Sequence, residues 1–160
     1  MSNKIIILTG DIQTGKTTSL QQFCVERNNV AGILTPVVNG KRMFYDIAKN
    51  DFFEMEAVVD EEKLAIGKYL FSAASFKKAN EILLQESKRD DIGYLIIDEI
   101  GPLEIKQQKG MYDSFTKILD SLFNYTLIIV VRQALVDDVV AVFNLESYGA
   151  EILKDYTEIH

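Results

Sequence analysis

One octapeptide restricts the folds open to this chain more than any other feature of its sequence. Residues 10–17 read Gly-Asp-Ile-Gln-Thr-Gly-Lys-Thr and match the pattern G-x-x-x-x-G-K-[ST] in full. Glycines in such a loop let backbone N–H groups turn inward on phosphate oxygens, and the helix that follows adds unpaired N–H donors and partial positive charge. The pattern therefore predicts a phosphate-binding loop (P-loop) between a strand and a helix.

Each position of the P-loop has an expected role. The Lys16 ammonium would reach the β- and γ-phosphates, which also makes it a candidate catalytic group, and the Thr17 hydroxyl would bind Mg²⁺. The alternative is a glycine-rich turn with a solvated lysine. The predicted nucleotide-binding residues are Gly10, Asp11, Ile12, Gln13, Thr14, Gly15, Lys16, Thr17 and Thr18.

A second half of the site is predicted at the end of another apolar strand. Residues 94–97 are Tyr-Leu-Ile-Ile, and two acids, Asp98 and Glu99, follow them. We expect this strand to neighbour the P-loop strand, so that Asp98 holds Mg²⁺, through water, because Mg²⁺ keeps much of its hydration shell. Side chains alternate along a strand, so Glu99 would point elsewhere and orient and deprotonate a water in line with the γ-phosphate. The alternative is a solvated strand end.

Three further charged residues are weaker candidates. Arg132 follows the apolar strand 126–131, where it would sense the γ-phosphate or stabilise transition-state charge, or else form a surface salt bridge. Glu104 belongs either to a second layer around the site or to the plain surface. Arg42 follows a hairpin turn and is more typical of surface structure, although it could approach the substrate. The polar stretch 104–110 predicts a mobile surface loop.

The remaining pattern predicts an α/β fold in which a mostly parallel sheet is covered on both faces and an antiparallel hairpin is inserted. A length of 160 residues suits one domain, 1–160. Asn39-Gly40 is the strongest turn signal. The predicted strands are 4–9, 30–38, 42–48, 51–59, 94–98, 126–131 and 150–153, the predicted helices are 17–28, 76–87, 111–123 and 135–143, and 65–71 is ambiguous.

Composition excludes several classes of function. With 17 Lys and Arg against 24 Asp and Glu, the net charge of −7 argues against nucleic acid as a partner. No apolar run approaches the ~20 residues that span a bilayer, so we expect no membrane association and a cytoplasmic location.

Cysteine and histidine are each present once. Because Cys24 is the only cysteine, no intrachain disulfide can form, and its helical spacing with Leu20 and Phe23 predicts a buried, inert thiol. The one histidine is the last residue, which argues against metal-His and Ser-His mechanisms.

Taken together, these motifs resemble one family, the THEP-type P-loop nucleoside triphosphatases. The resemblance is carried by the P-loop with Thr18 and Leu20, by Gly67-Lys68-Tyr69, and most specifically by residues 97–104, Ile-Asp-Glu-Ile-Gly-Pro-Leu-Glu. It implies a RecA-like fold, Mg²⁺ dependence and slow hydrolysis with broad base tolerance. It also implies that Lys16 and Thr17 bind phosphate and metal and that Asp98 and Glu99 serve metal and water.

The hairpin departs from the family pattern. The family usually carries an acidic residue and an arginine after the second strand, where this chain has Thr35-Pro36-Val37-Val38. Arg42 corresponds to a later family arginine. These differences leave the base preference open.

The leading functional hypothesis is an Mg²⁺-dependent triphosphatase that cleaves the β–γ bond of ATP, GTP or a related nucleotide. A P-loop small-molecule kinase is the second hypothesis, although four arginines do not suggest an arginine-rich lid. The third is a nucleotide-dependent assembly or regulatory module with little turnover, acting on an unidentified protein partner. Self-association, with an arginine supplied by a second copy, remains open.

Overall fold

The strands and helices follow the expected alternation. A computed structural model describes residues 4–10, 16–57, 63–66 and 69–159. The strands are β1 Ile5–Gly10, β2 Val30–Leu34, β3 Val37–Val38, β4 Lys41–Asp46, β5 Asp51–Glu54, β6 Lys63–Ile66, β7 Tyr69–Ser72, β8 Tyr94–Asp98, β9 Thr126–Arg132 and β10 Glu151–Leu153. The helices are α1 Lys16–Val25, α2 Ala73–Glu86, α3 Pro102–Gln107, α4 Tyr112–Leu119 and α5 Val136–Val142, and short 3₁₀ turns span Gln133–Leu135, Leu145–Tyr148 and Tyr156–Glu158.

The main sheet has the strand order β10-β1-β9-β8-β2-β4-β3. The five strands from β10 to β2 are parallel, whereas β4 runs antiparallel to β2 and pairs in turn with β3 and β5. Parallel strands need crossover connections, and the two covered faces of β1, β2, β8 and β9 explain why their sequences are almost continuously apolar. The predicted α/β class and the inserted hairpin are confirmed.

Two hydrophobic cores lie on opposite faces of the sheet. Along β1, Ile5 and Ile7 belong to the first core and Ile6 and Leu8 to the second, as strand alternation requires. The first core also takes apolar side chains from α2, α3, α4 and α5, and the second takes those of α1 and the C-terminal segment. This arrangement confirms three layers, helices–sheet–helices, and assigns α1 to a different layer from the other helices.

Cys24 lies on α1 and packs against the second core. Burial raises the pKa of its thiol to about 12, against the opposing influence of the Arg27 charge. The thiolate is the reactive form, so this thiol is inert near neutral pH, as predicted.

Three local predictions need correction. The predicted strand 30–38 is split, because Pro36 lacks an N–H and its carbonyl oxygen accepts the N–H of Met43 at 2.8 Å. The predicted helix 76–87 begins earlier, at Ala73, because the Ser72 hydroxyl caps it by accepting the N–H of Ser75 at 3.1 Å. Residues 104–107 of the predicted loop 104–110 belong instead to the helix α3, which has Pro102 at its favoured first position.

The expectation that the P-loop strand and the acid strand are neighbours was also wrong. The strand β1 pairs with β9 and β10, and β8 pairs with β9 on its other side. One strand therefore separates Gly10 from Asp98. From strand spacing and rise, we place their Cα atoms about 12 Å apart.

Candidate active site

The site lies where the parallel strands end. Gly10 is opposite Arg132 in the pairing of β1 with β9, and Asp98 is opposite Val130 in the pairing of β8 with β9. The carboxyl ends of β1, β9 and β8 thus meet at one edge of the sheet, the place where α/β folds bind ligands.

The elements on either side of the P-loop motif are described. Gly10 ends β1, and α1 begins at Lys16, so the motif lies between a strand and a helix, as predicted. Thr18 is exposed in the first turn of α1. Asp11 to Gly15 lie outside the described residues, and their predicted contacts with nucleotide stay predictions.

Asp98 is held at the end of β8. Its side chain is buried, with 2% exposure, and its Oδ2 accepts the N–H of Thr35 at 3.0 Å. Thr35 follows β2, which is parallel to β8, so its amide comes to the same edge of the sheet. A backbone donor therefore fixes the orientation of this carboxylate.

Glu99 lies beside a cation. Its Oε1 is 3.7 Å from Nη2 of Arg132, and 30% of the Glu99 side chain is exposed. Burial, and after it the negative charge of Asp98, raise the pKa of Glu99, while Arg132 and then Arg42 oppose the shift. A carboxylate with a raised pKa is a better proton acceptor than an ordinary glutamate.

Arg42 extends from the hairpin to Thr35 and influences Glu99. Its position in the sequence was more typical of a surface residue. Its Nη1 donates to the carbonyl oxygen of Thr35 at 3.0 Å, and its backbone N–H donates to Oε2 of Glu56 at 3.1 Å. Thr35 thereby connects Arg42 to Asp98 through its two backbone groups. One signal in the sequence indicates this position of Arg42, the Asn39-Gly40 turn, which fixes where β4 begins.

Glu104 is buried, with 3% exposure, so the surface alternative for this residue is wrong. Its Oε1 accepts the N–H of Gly101 and its Oε2 accepts that of Met111, both at 2.7 Å. Burial raises its pKa to about 7, although these two N–H groups act in the other direction. The carboxylate therefore joins the beginnings of α3 and α4.

A cleft of about 290 Å³ opens beside Asp98 and Glu99. It runs from the acids to the hairpin and to the starts of α3 and α4. Its polar lining includes Asp98, Glu99, Arg42, Arg132, Glu56 and Glu104, and its apolar lining includes Val37, Phe44, Met55, Phe71, Phe76, Leu103 and Met111.

The sequence profile of a family described as NTPase matches residues 5–153 of the chain. The chain belongs to this NTPase family. The matched range contains both the P-loop motif and the acid pair.

Two curated relatives carry the name nucleoside-triphosphatase THEP1. The protein from Saccharolobus solfataricus is 33% identical over 129 residues, which cover 74% of this chain and 69% of the relative. That from Archaeoglobus fulgidus is 28% identical over 170 residues, covering 96% and 97%. Both alignments extend over two thirds or more of each protein.

Two solved structures are similar in fold. The crystal structure of THEP1 from the hyperthermophile Aquifex aeolicus has a TM-score of 0.71 at 23% identity, covering 97% of this chain and 92% of that one. The solution structure of a human cancer-related nucleoside triphosphatase has a TM-score of 0.65 at 19% identity, covering 97% and 90%. The RecA-like P-loop fold is confirmed.

The donor set of this NTPase suits a hard cation held together with phosphate. Among the described residues, no group of three or more His, Cys, Asp or Glu side chains could hold a metal ion. The buried carboxylate of Asp98 is an oxygen donor, and Mg²⁺ commonly uses one or two carboxylates, substrate phosphates and waters rather than a cage of protein ligands. Within the described part of the chain, no helix has the length and apolar character needed to cross a bilayer.

Proposed function

We propose that this NTPase hydrolyses the β–γ bond of ATP, GTP or a related nucleoside triphosphate with Mg²⁺ and an activated water. The observation that carries the proposal is the position of Glu99 beside Arg132, because Arg132 is also the register partner of the first P-loop residue, Gly10. The base and the phosphate-binding loop are thus connected through one strand, β9.

The phosphates would be held by the backbone of residues 10–18. Lys16, in the first turn of α1, adds a charge that stabilises the γ-phosphate as its bond to the leaving group lengthens. Phosphoryl transfer requires little covalent chemistry from a protein, so positioning and charge account for most of the rate.

Mg²⁺ would be held by Asp98 and the hydroxyl of Thr17. When bound, the cation neutralises charge on the β- and γ-phosphate oxygens. The N–H of Thr35 fixes the orientation of Asp98 and gives the cation a preorganised partner.

Glu99 would orient the attacking water and take its proton. Burial and the nearby charge of Asp98 raise the pKa of Glu99, which favours proton uptake. Arg132 and Arg42 oppose that shift and would keep enough of the carboxylate ionised to act as a base. Arg132 would also stabilise the charge that develops on the transferring phosphoryl group.

The test is Glu99→Gln, which preserves size and removes the base. We expect nucleotide affinity to remain and phosphate release, measured with each of the four common triphosphates with and without Mg²⁺, to fall about 10²–10⁴-fold. The matched control is Glu81→Gln, which changes an exposed glutamate on α2. Unchanged turnover in the Glu99 variant would refute the role of Glu99.

Three further expectations complete the proposal. We propose a cytoplasmic location for the enzyme. The net charge of −7 supports a small-molecule substrate rather than nucleic acid. Self-association, in which a second copy would supply an arginine to the site, stays a prediction.

A further inference from the structure

Arg42 differs from the other arginines of the chain in its ionic contacts. The chain has four arginines, and three of them, Arg27, Arg89 and Arg132, form salt bridges with described carboxylates. Arg42 is partly buried, yet it forms no salt bridge with any carboxylate of the described residues. Burying a cation costs free energy unless an anion accompanies it. The guanidinium of Arg42 is thus available to an anion from solution.

This guanidinium is held at one of its three nitrogens. Its Nη1 donates to the carbonyl oxygen of Thr35 at 3.0 Å and lies 3.5 Å from the hydroxyl oxygen of the same residue. Within the described part of the chain, these are the only hydrogen bonds of the side chain. A guanidinium carries five N–H donors in one plane, so Nε and Nη2 of Arg42 can still bind an anion through two parallel hydrogen bonds.

The backbone of Arg42 is fixed by its neighbours in the hairpin. Its N–H donates to Oε2 of Glu56 at 3.1 Å, and the next N–H, that of Met43, donates to the carbonyl oxygen of Pro36 at 2.8 Å. Arg42 is also paired with Val37 in the sheet. The side chain therefore extends from an anchored strand, which lowers the entropy lost when it binds a ligand.

Arg42 shares a cleft with the proposed base. Arg42, Arg132 and Glu99 line the same cleft. Burial and then the charge of Asp98 raise the pKa of Glu99, and the charge of Arg42 opposes them after that of Arg132, so Arg42 is within electrostatic reach of Glu99. In the proposed reaction, the attacking water lies about 3 Å from both Glu99 and the γ-phosphorus. The γ-phosphoryl group must therefore come close to this part of the cleft.

The balance of charge in the cleft calls for a further cation. Its lining carries two guanidinium groups and four carboxylates, those of Glu56, Asp98, Glu99 and Glu104. Burial raises the pKa of Glu104 to about 7, so this group is partly protonated near neutral pH. Glu99 lies 3.7 Å from Arg132 and offsets part of its charge. Arg42 is the lining cation whose charge no described carboxylate offsets through a salt bridge.

Thr35 connects the same guanidinium to the proposed metal ligand. The N–H of Thr35 donates to Oδ2 of Asp98 at 3.0 Å, while its carbonyl oxygen accepts the hydrogen bond from Arg42. The arginine, the proposed metal ligand and the proposed base therefore belong to one site of one chain. An arginine from a second copy is not needed for this contact.

We propose that Arg42 is a catalytic residue that binds the γ-phosphoryl group during its transfer to water, within the chain that holds the nucleotide. The inference rests on the proposed hydrolytic function. The water oxygen forms a bond to the γ-phosphorus while the bond from that phosphorus to the β–γ bridging oxygen breaks. The nucleoside diphosphate leaves with the electron pair, and the water proton passes to Glu99. Charge is spread over the three equatorial oxygens of the transferring group, and Nε and Nη2 of Arg42 stabilise it there.

Lys41 provides a matched control. It is the next residue on the same strand, is exposed, and is not among the residues that line the cleft. Side chains alternate along a strand, and the pairing agrees with this, because Val37 opposite Arg42 lines the cleft and Val38 opposite Lys41 does not. Arg42→Ala and Lys41→Ala thus remove one positive charge each from adjacent positions with different surroundings.

The experiment measures phosphate release by the full-length protein while MgATP and Mg²⁺ are varied separately. We expect Arg42→Ala to lower kcat about 10²–10³-fold and to change the KM for MgATP and the half-maximal Mg²⁺ concentration less than about fivefold. Arg42→Lys should also lose most of kcat, because one ammonium group cannot bind both the Thr35 carbonyl and the phosphoryl group. Lys41→Ala should retain full activity.

Two further measurements report on the transferring group itself. MgADP with aluminium fluoride mimics the phosphoryl group in transfer, and calorimetry should show that Arg42→Ala binds MgADP but no longer binds this complex. Free guanidinium ion at low concentration should restore part of the rate of Arg42→Ala and none of that of Glu99→Gln. If Arg42→Ala does not fold, Arg42→Lys decides, since retention of its kcat would overturn the proposal.

Several outcomes would overturn the proposal while leaving the hydrolytic function intact. One is an unchanged kcat in Arg42→Ala, or an equal loss in Lys41→Ala. Another is recovery of kcat at saturating Mg²⁺, which would mean that Arg42 acts only through Thr35 and Asp98. A third is restored activity when Arg42→Ala is mixed with Lys16→Ala, which would place the arginine of one chain in the site of another.

Failure of the hydrolytic function itself is distinguishable from these outcomes. In that case the wild-type protein releases no phosphate, and the complex of MgADP with aluminium fluoride decides whether Arg42 contacts the phosphoryl group. Binding that is lost in Arg42→Ala supports the contact. Absence of binding to the wild type, or binding that Arg42→Ala does not weaken, refutes it.

Discussion

The Nη2 atom of Arg132 lies 3.7 Å from Oε1 of Glu99, and the Cα of Arg132 is paired in the sheet with that of Gly10. Arg132 therefore connects two elements that are not adjacent, the P-loop strand and the strand that carries the acids. This geometry places Arg132 between the proposed phosphate-binding loop and the proposed base.

Replacement of this arginine should change both the rate and its pH dependence. We expect Arg132→Ala to lower phosphate release about 10²-fold, because one charge that stabilises the transition state is lost. Arg132 lowers the pKa of Glu99, so the same variant should shift the acidic limb of the kcat/KM profile to higher pH. Arg132→Lys retains the charge but not the planar guanidinium group, so its effects on phosphate release and on the pH profile should be smaller.

Arg89 provides the control for this prediction. It pairs with Glu86 and Asp91, and it is not among the residues that line the cleft. Arg89→Ala should leave turnover and the pH profile unchanged. If Arg132→Ala lowered the rate while the acidic limb stayed in place, the coupling between Arg132 and Glu99 would be wrong.

The two motifs of the site could be predicted from sequence because each is local. The P-loop pattern specifies a strand, a turn and a helix within about ten residues, and the acid pair directly follows an apolar run that ends at Ile97. Neither inference requires knowledge of which strands pair. The described parts of these segments have the predicted secondary structure, from β1 and α1 to β8.

The order of the strands could not be obtained in this way. The strand β9 comes after β8 in sequence yet lies between β8 and β1 in the sheet, a long-range choice that no local pattern records. For a related reason, the sequence did not decide between a buried and a surface position for Glu104. The exposed residues Lys106 to Lys109 gave the segment a polar character, while the two N–H groups that satisfy Glu104 are set by tertiary structure.

Removal of the cation and removal of its proposed carboxylate ligand should both lower the rate of phosphate release. Excess EDTA should abolish phosphate release, and Asp98→Asn should reduce Mg²⁺-dependent turnover about 10–100-fold. The asparagine oxygen can still accept the N–H of Thr35, so we expect the fold to persist. Asp113→Asn, at an exposed site on α4 paired with Lys117, is the control. Full activity of either the EDTA-treated enzyme or Asp98→Asn would count against the metal assignment.

Glu104 should make stability depend on pH in a defined direction. Its pKa is about 7 in the folded protein against 4.5 ordinarily, so between these values the folded state binds the proton more tightly than the unfolded chain does. The contribution of Glu104 to stability is therefore greatest below about pH 4.5 and declines as pH rises to about 7. The shift corresponds to a decline of roughly 3 kcal/mol.

Glu104→Gln isolates this contribution. The amide of glutamine can accept only one of the two N–H groups, so at low pH the variant should be less stable by about 1–3 kcal/mol. Glutamine does not titrate. The difference in unfolding free energy between wild type and Glu104→Gln, measured by urea denaturation, should therefore change in favour of the variant as pH rises. Glu81→Gln, at an exposed position, should not change the pH slope, and a constant difference between wild type and Glu104→Gln would contradict the assignment.

A substitution at Gly110 tests the position of the Glu104 carboxylate, because Gly110 lies against it. Its φ is +63°, and a Cβ built on it would lie 2.0 Å from Oε2 of Glu104. Gly149 has a similar φ of +68°, but a Cβ there meets nothing within 4 Å. Gly149→Ala should therefore cost only the left-handed backbone penalty of about 1–2 kcal/mol.

Gly110→Ala should cost that penalty and also displace the Glu104 carboxylate, leaving the buried N–H of Met111 unpaired. We expect a total of about 2–5 kcal/mol in urea denaturation. The additional cost should shrink when Gly110→Ala is combined with Glu104→Ala, because the shorter side chain leaves space for the new methyl group. Equal costs for the two glycine variants would mean that the contact between Gly110 and Glu104 does not constrain the turn between α3 and α4.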